Sequence, residues 1–425
     1  MIEIIPIENI DAVITVPGSK SITQRALIAA ALADGRSILR NPLVSEDTDL
    51  SSQALKCMGI DVSKEQDCWY IDGSRGVVQQ PDDDLFLGNN GTATRFLTSI
   101  ASLGNGEFII DGDERMHERP IAPLIEALQG WGVDIESINQ SGCPPLSIRA
   151  DGIKGGKTVL PAGKSSQYLS SLLLVAPYAE QPAILEVKGE VLSKPYVAMT
   201  IQVMADFGIL VDSAQDYSSF SIQQGIYQAR DYQIEGDASN ASYFWAAAAI
   251  TGGRVTVSNV PVPSIQGDTM LVPLLARMGC YVQQSGHGIT VEGTGTLEGI
   301  EVDMGNMPDV VPTLAVVAAF AQGPTEIANI AHLRIKECDR LHAVSTELAK
   351  LGVRVEERPD SMVVHGEGGK NMRKADIQTY NDHRMAMSMA VAGLRVPGVK
   401  IHGEQCVAKS FPDFWECFGS LSNEL

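Results

Sequence analysis

No CxxC pair and no cysteine–histidine cluster occurs in this sequence. Its cysteines stand singly at 57, 68, 143, 280, 338, 406 and 417. That scatter argues against a disulfide framework and a structural zinc site, and fits reduced thiols. No apolar run approaches the roughly 20 residues that a membrane span needs. The opening MIEIIPIENIDAVITVPG lacks the basic start and continuous apolar core of a secretory leader, so a cytoplasmic protein is expected. Positive charge is scarce: 32 Lys and Arg against 52 Asp and Glu give a formal net charge of −20. Such a surface repels nucleic acid and anionic lipid, and neither is an expected partner. It also repels anionic small molecules unless the few cations are gathered locally. A phosphate-binding P-loop is absent too. Gly163-Lys164-Ser165 resembles its end, but the required earlier glycine falls on Thr158. No metal site and no cofactor is expected.

What the chain does contain is a repeat. Six segments share a short strand, a polar turn and a helix rich in small residues: AVITVPGSKSITQRALIAAALADG, DLFLGNNGTATRFLTSIASLG, TVLPAGKSSQYLSSLLLVAP, YQIEGDASNASYFWAAAAITGG, IEVDMGNMPDVVPTLAVVAAFAQG and IQTYNDHRMAMSMAVAGL. After each comes a β-like run, then an amphipathic helix closed by glycine. Those glycines are Gly59, Gly132, Gly208, Gly279, Gly352 and Gly419, at gaps of 73, 76, 71, 73 and 67 residues. Glycine just past a helix end is the expected C′ residue. Hairpin-like stretches such as DVSKEQDCWYIDG follow. Six α+β units therefore fill the 425 residues, and two domains of three units each are the natural packing, divided near Tyr232–Asp237. Equivalent turns would gather three to a domain, each with the partial positive charge of a helix N-terminus, and two facing domains would enclose a cationic cleft.

The turns carry the chemistry-bearing residues. Leu85 to Thr92 reads as strand, tight turn and helix start, with Thr92 placed to cap and Arg95 in the first turn. Pro17-Gly18-Ser19-Lys20-Ser21 sets Lys20 and Ser21 at a helix start, with Ser21 able to cap and Arg25 one turn on. Cations oppose the helix dipole there, so they make sense where an anion binds. Arg119 precedes the second helix of the second unit. Ser165-Ser166-Gln167 and Ser193-Lys194-Pro195-Tyr196 offer hydrogen bonds to hydroxyl or phosphate oxygens, or ordinary caps. The fourth turn, Gly236-Asp237-Ala238-Ser239, has no cation and reads as structural. Asp309 is a cap or a general base. Helical spacing puts Lys336 and Arg340 on one face, with Glu337 partly away. The last turns add Arg384 and Lys409, each of which alone would pass for surface. Lys20, Arg25, Arg95, Arg119, Lys336, Arg340, Arg384 and Lys409, with Asp309 and Glu337, suit strongly anionic substrates and proton transfer.

At this point PGSKSITQRAL, LFLGNNGTATR, RMHERPI, SSQYLSSLL, SKPYVAMT, GDASNASYF, RIKECDR and YNDHRMAM are similar, in order, to motifs of the 5-enolpyruvylshikimate-3-phosphate synthase family of enolpyruvyl transferases. The resemblance runs from about Val16 to Asp413. It implies an α/β (α+β) chain with a two-domain, inside-out α/β barrel-like fold of six βαβαββ repeats. Residues 18–231 would form one domain, 1–17 with 232–425 a discontinuous second, and the active site would lie in the cleft between them. It implies transfer of the enolpyruvyl group of phosphoenolpyruvate to the 5-hydroxyl of shikimate 3-phosphate, on the shikimate pathway to chorismate, by a monomer that glyphosate targets.

Residue by residue, the resemblance assigns shikimate 3-phosphate to Lys20, Ser21, Arg25, Ser165, Ser166, Gln167, Ser193, Tyr196, Asp309 and Lys336. It assigns phosphoenolpyruvate to Lys20, Gly91, Arg119, Gln167, Arg340, Arg384 and Lys409, and catalysis to Asp309, Glu337 and Lys20. Three positions depart from the family pattern: Asn90 where alanine is frequent, Phe96 where proline is common, and His332 where asparagine often contacts the substrate phosphate. The rival reading is the related UDP-N-acetylglucosamine enolpyruvyl transferase, whose reactive cysteine has no counterpart in Arg115-Met116-His117-Glu118-Arg119-Pro120. A non-catalytic anion-binding protein is the other alternative.

Overall fold

A computed structural model describes residues 1–8, 10–65, 67–161 and 165–422, so Gly163 and Lys164 lie outside the described residues. The chain divides into two compact units, Met1–Pro17 with Glu235–Leu425, and Gly18–Ile234. In chain order the helices are α1 (Lys20–Leu32), α2 (Glu46–Cys57), α3 (Gly91–Ala101), α4 (Ala122–Gly130), α5 (Ser166–Val175), α6 (Lys194–Asp206), α7 (Ala238–Thr251), α8 (Leu271–Arg277), α9 (Val311–Ala319), α10 (Arg340–Lys350), α11 (His383–Gly393) and α12 (Phe414–Gly419).

One sheet plan recurs. In the Gly18–Ile234 unit, strand Gly156–Pro161 runs parallel to Ala183–Lys188. The latter pairs antiparallel with Ser219–Ile222, which pairs antiparallel with Val211–Ser213. Strands Leu85–Phe86, Asn105–Asp111, Leu146–Asp151 and Asp134–Ser137 repeat that order. So do Asp231–Gln233, Asp34–Arg40, Cys68–Ser74 and Asp61–Glu65. The other unit repeats it with Asp11–Ile14, Arg254–Val257, Gly288–Glu292 and Tyr281–Ser285. The strand just before α1 thus joins Arg254–Val257, and the strand just before α7 joins Asp34–Arg40. In each of these sheets the first strand runs parallel to the second; α3 bridges Leu85–Phe86 to Asn105–Asp111 and α5 bridges Gly156–Pro161 to Ala183–Lys188, whereas the other two parallel pairs join strands far apart in the chain.

The helix that follows each polar turn is the buried one. Every residue of α7, α9 and α11 is buried, and nearly every residue of α1, α3 and α5. Apart from the cations near their starts, their sequences are largely apolar, as in VPTLAVVAA of α9, because a helix enclosed on all sides has no face for solvated charge. Small residues let them approach: Ser242, Thr313 and Ser388 link α7, α9 and α11 through hydroxyls at 3.0 and 3.3 Å. Ser99 and Ser171 link α3 to α5 at 2.5 Å. Strands such as Leu146–Asp151 turn Leu146, Ile148 and Ala150 inward at every second residue. Phe414 packs on Phe411, Phe418 and Phe244 with ring centroids 5.0 to 6.3 Å apart.

The second helices end as their glycines foretell. Gly59, Gly132, Gly208, Gly279 and Gly352 all have positive φ, between 82° and 115°. At each, the glycine N–H and the next N–H fold back on the last turn; Gly352 bonds Ala349 O at 3.0 Å and Val353 bonds Leu348 O at 3.0 Å. Gly419 differs: it is the last residue of α12 itself and its φ is not positive. Among the described residues no helix is long and apolar enough to cross a membrane.

Candidate active site

In the Gly18–Ile234 unit, the starts of α1, α3 and α5 are cross-linked by side chains of their own turns. Ser19, not Ser21, caps α1, because Lys20 already has helical geometry; its hydroxyl accepts the Ile22 N–H at 3.5 Å. Lys20 pairs with Asp47 at 3.1 Å. The backbone oxygen of Asp47 accepts the Asn90 amide at 2.7 Å, tying the α1 turn to the α3 turn. Asn90, not Thr92, caps α3 by accepting the Ala93 N–H at 2.9 Å. Thr92 instead accepts the Gln167 amide at 3.0 Å, which joins α3 to α5. Ser165 caps α5 through the Gln167 N–H at 3.2 Å, and Ser166 is its first residue. Ser193 takes a left-handed φ of 54° just ahead of α6.

Two arginines of this unit are built in, and burial keeps both from solvent. Arg25 is 2% exposed. It donates to Thr200 at 2.7 Å, Ser170 at 3.1 Å, Ser21 O at 3.0 Å and Tyr196 O at 3.3 Å. Its guanidinium lies 5.3 Å from the Phe96 ring and 5.9 Å from the Tyr196 ring. Phe96 therefore supplies an aromatic face to a desolvated cation. Burial, partly opposed by Tyr196, pushes Arg25 down to about 10. Arg95 donates to Pro120 O at 2.8 Å, Arg119 O at 3.4 Å and Gly91 O at 3.2 Å, clamping the loop that carries Arg119 onto the start of α3. The fixed charge expected at that turn is thus directed inward. Arg119 reaches back to Asn89 O at 3.0 Å and Asn89 Oδ1 at 2.8 Å. A Cβ on Gly91 would stand 2.1 Å from Arg119 Nη2, so only glycine leaves the guanidinium its place.

The other unit concentrates opposite charges. Arg340 donates to both oxygens of Asp382 at 2.7 and 3.2 Å, to Asp309 Oδ1 at 3.1 Å and to Glu337 Oε2 at 2.7 Å. Arg384 reaches Asp309 Oδ2 at 2.7 Å, and Lys336 Nζ stands 3.8 Å from Asp309 Oδ1. Lys409 Nζ is 3.8 Å from Glu337 Oε1. Lys336 and Arg340 do not share a helix face, because residues 336–339 lie between the 3-10 turn Ala331–Ile335 and α10. They meet at Asp309 instead. Glu337 points into the cluster rather than away. Asp309 belongs to the 3-10 turn Pro308–Val310, and the N-cap positions of that turn and of α9 fall on Met307 and Val310. His383 and Arg384, which look like surface decoration in the sequence, are 1% and 6% exposed.

Burial alone would raise the Asp309 carboxyl, but Arg384, Lys336 and Arg340 outweigh it and hold the group well below the usual carboxylate range. Burial pulls Arg340 down, and Asp382, Glu337 and Asp309 more than reverse this. His332 is 6% exposed, and neither ring nitrogen has a hydrogen-bond partner among the described residues. Burial first, then Lys336, lowers it to about 4, so the ring is neutral at pH 7. The arrangement can hold an ionised carboxylate beside cations ready for anionic ligands, with a second carboxylate 2.7 Å from the same arginine.

A family model described as EPSP synthase (3-phosphoshikimate 1-carboxyvinyltransferase) matches residues 4–418. The chain belongs to the EPSP synthase family. A family member from Nostoc punctiforme, named 3-phosphoshikimate 1-carboxyvinyltransferase, is 45% identical over 412 residues, 96% of each chain. One of the same name from Methanothermobacter thermautotrophicus is 40% identical over 408 residues, 96% of this chain and 95% of its own. Among solved structures, EPSP synthase from Acinetobacter baumannii superposes with a TM-score of 0.81 at 28% identity, covering 99% of this chain and 98% of that one. The mixed α/β, six-repeat fold is that of the EPSP synthase family. Sequence reasoning passed over Asp47, Asp382, Ser170 and Thr200, which touch the EPSP synthase motif residues directly. Asp382 alone left a signal, as the residue before a helix start, where Asp is a favoured cap.

Proposed function

We propose that the chain is a 3-phosphoshikimate 1-carboxyvinyltransferase, moving the carboxyvinyl (enolpyruvyl) group of phosphoenolpyruvate to the 5-hydroxyl of shikimate 3-phosphate and releasing phosphate. Family membership across residues 4–418 supports the reaction. The observation that carries the site reading is the convergence of Arg340, Arg384 and Lys336 on the single carboxylate of Asp309.

In this reading Lys20, Ser21, Arg25, Ser165, Ser166, Gln167, Ser193, Tyr196, Asp309 and Lys336 serve shikimate 3-phosphate. Lys20, Gly91, Arg119, Gln167, Arg340, Arg384 and Lys409 serve phosphoenolpyruvate. The hydroxyl oxygen attacks C2 of phosphoenolpyruvate while its methylene carbon gains a proton. The phosphate-bearing tetrahedral intermediate then loses phosphate and a proton to restore the vinyl group. Asp309, held ionised, is the proton acceptor; Glu337 is the donor, and Lys20 assists the proton transfers. Without substrate, Asp309 is a weak base because three cations share it. Anionic substrates that draw Arg384 and Lys336 to themselves raise its proton affinity, so the base strengthens when it is needed. Cationic stabilisation of the charged transition state supplies the rest.

The test is proton NMR of purified protein with both substrates. New vinyl resonances of the carboxyvinyl ether are expected, and Asp309→Ala should slow their appearance about 10²–10⁴-fold, the usual range for a lost acid–base group. Wild-type rates in Asp309→Ala would overturn the assignment.

A further inference from the structure

The turn that delivers Arg384 is held by a carboxylate that the mechanism above does not use. Tyr380 and Asn381, with φ of 54° and 53°, are the only consecutive non-glycine residues of positive φ among the described residues. The left-handed region is unfavourable for a side chain as bulky as tyrosine, and such a backbone persists where neighbouring contacts fix it. Here the contacts come from Glu347 of α10, which is fully buried. Its Oε1 accepts the Tyr380 hydroxyl at 2.7 Å, and its Oε2 accepts the Gln378 N–H at 3.1 Å. Lys350 donates to the same two oxygens at 2.8 and 2.7 Å, so the buried charge is balanced. The turn also closes on itself: the Asp382 N–H donates to Thr379 O at 2.9 Å.

Helix α10 thus holds this segment at two points. Its first residue, Arg340, grips Asp382 at 2.7 Å, and Glu347, about two turns further along the same face, holds Gln378 and Tyr380. Asp382 then caps α11, and Arg384, in the first turn, reaches Asp309 at 2.7 Å. Relaxation of the two left-handed residues would shift the start of α11, because a change of φ rotates all of the chain that follows. We propose that Glu347 is a positioning residue for phosphoenolpyruvate binding: through the Tyr380 hydroxyl it holds the left-handed turn that aims Arg384 at the site. This rests on the role given above to Arg384. Tyr380 itself is exposed, so loss of its hydroxyl opens no core cavity, and the bond to Glu347 can be removed alone.

The experiment measures kcat and KM for each substrate in wild type, Tyr380→Phe, Tyr380→Gly and Glu347→Gln. Tyr380→Phe keeps the ring and the strain but loses the bond to Glu347. Its KM for phosphoenolpyruvate should rise about tenfold, with a smaller change for shikimate 3-phosphate. Tyr380→Gly loses ring and bond together but adopts a positive φ freely, so its KM should lie closer to wild type than that of Tyr380→Phe. A packing role alone predicts the reverse order, since glycine removes the whole ring. Glu347→Gln leaves one acceptor oxygen for two donors and should raise the same KM; adding Tyr380→Phe to it should change little more, because both break one contact. Wild-type KM for phosphoenolpyruvate in Tyr380→Phe, or a larger rise in Tyr380→Gly, would overturn the proposal, and both readings stand even if Glu347→Gln does not fold. Failure of the reaction itself shows separately, as no turnover by wild type. Nitrogen-15 NMR of the Arg384 side chain then decides: its resonance should shift in Tyr380→Phe, and an unmoved resonance refutes the positioning.

Discussion

Arg340 grips Asp382 through Nε and Nη2 at 2.7 and 3.2 Å, with both side chains 1% exposed or less. The same carboxylate caps α11 by accepting the Arg384 N–H at 2.9 Å. One buried pair thus sets the start of two helices that carry cations of the site. Asp382→Asn should destabilise the protein by about 3–5 kcal/mol, because it leaves Arg340 charged and short of a partner. Urea unfolding checks this; a loss below about 1 kcal/mol, the value of an exposed pair, would contradict it.

His332 should make the fold acid-sensitive in a defined window. Its folded-state value of about 4 lies below the ordinary 6.5. The unfolded chain therefore binds a proton as pH falls through 6.5, while the folded chain resists until about 4. Stability present above pH 6.5 is lost across that interval, to a total of about 3 kcal/mol. Urea midpoints of wild type and His332→Gln at pH 7 and pH 4.5 test this. The variant should lose less stability on acidification; equal losses would show that His332 is not the group responsible.

The closing glycines predict a contrast. Gly352 has φ of 92°, and an added Cβ would lie 2.9 Å from Asn371 O. Gly352→Ala should destabilise by about 1–2 kcal/mol. Gly419 is helical, with open space around an added Cβ. Gly419→Ala should be neutral or stabilise by up to about 1 kcal/mol. Thermal unfolding of both variants reads the difference, and equal Tm shifts would contradict it.

Gly91→Ala tests the Arg119 placement. Its Cβ would displace a guanidinium, the far end of a flexible side chain, so the fold should tolerate it. KM for phosphoenolpyruvate should rise about tenfold, equivalent to about 1.4 kcal/mol, with a smaller change for shikimate 3-phosphate. A rise for shikimate 3-phosphate alone would place Arg119 elsewhere.

Much of the fold is written in local sequence. The small-residue helices follow from all-round burial, which the repeat displays six times, and the glycine-closed helices from backbone freedom, which holds at five of the six glycines. Caps are read less well: Ser19 and Asn90, rather than Ser21 and Thr92, hold the helix starts, because in Ser-Lys-Ser and Asn-Gly-Thr two residues can each serve. Which sheet takes the strands before α1 and α7 depends on long-range pairing that no local pattern encodes. The residues of the cationic turns are legible, but not their partners. Lys336 and Arg340 look like one helix face and instead meet at Asp309. Arg95 reads as a cation in a helix's first turn and Phe96 as a departure from the family pattern, and their work is to brace the Arg119 loop and Arg25 from inside. Asp47 gives no sign at all, since an acidic helix start is what the dipole favours.

The most direct test of the central claim is phosphate release by the purified protein with phosphoenolpyruvate and each of two acceptors. Release with shikimate 3-phosphate and none with UDP-N-acetylglucosamine is the predicted result. Release with the sugar nucleotide alone, or with neither acceptor, would contradict it.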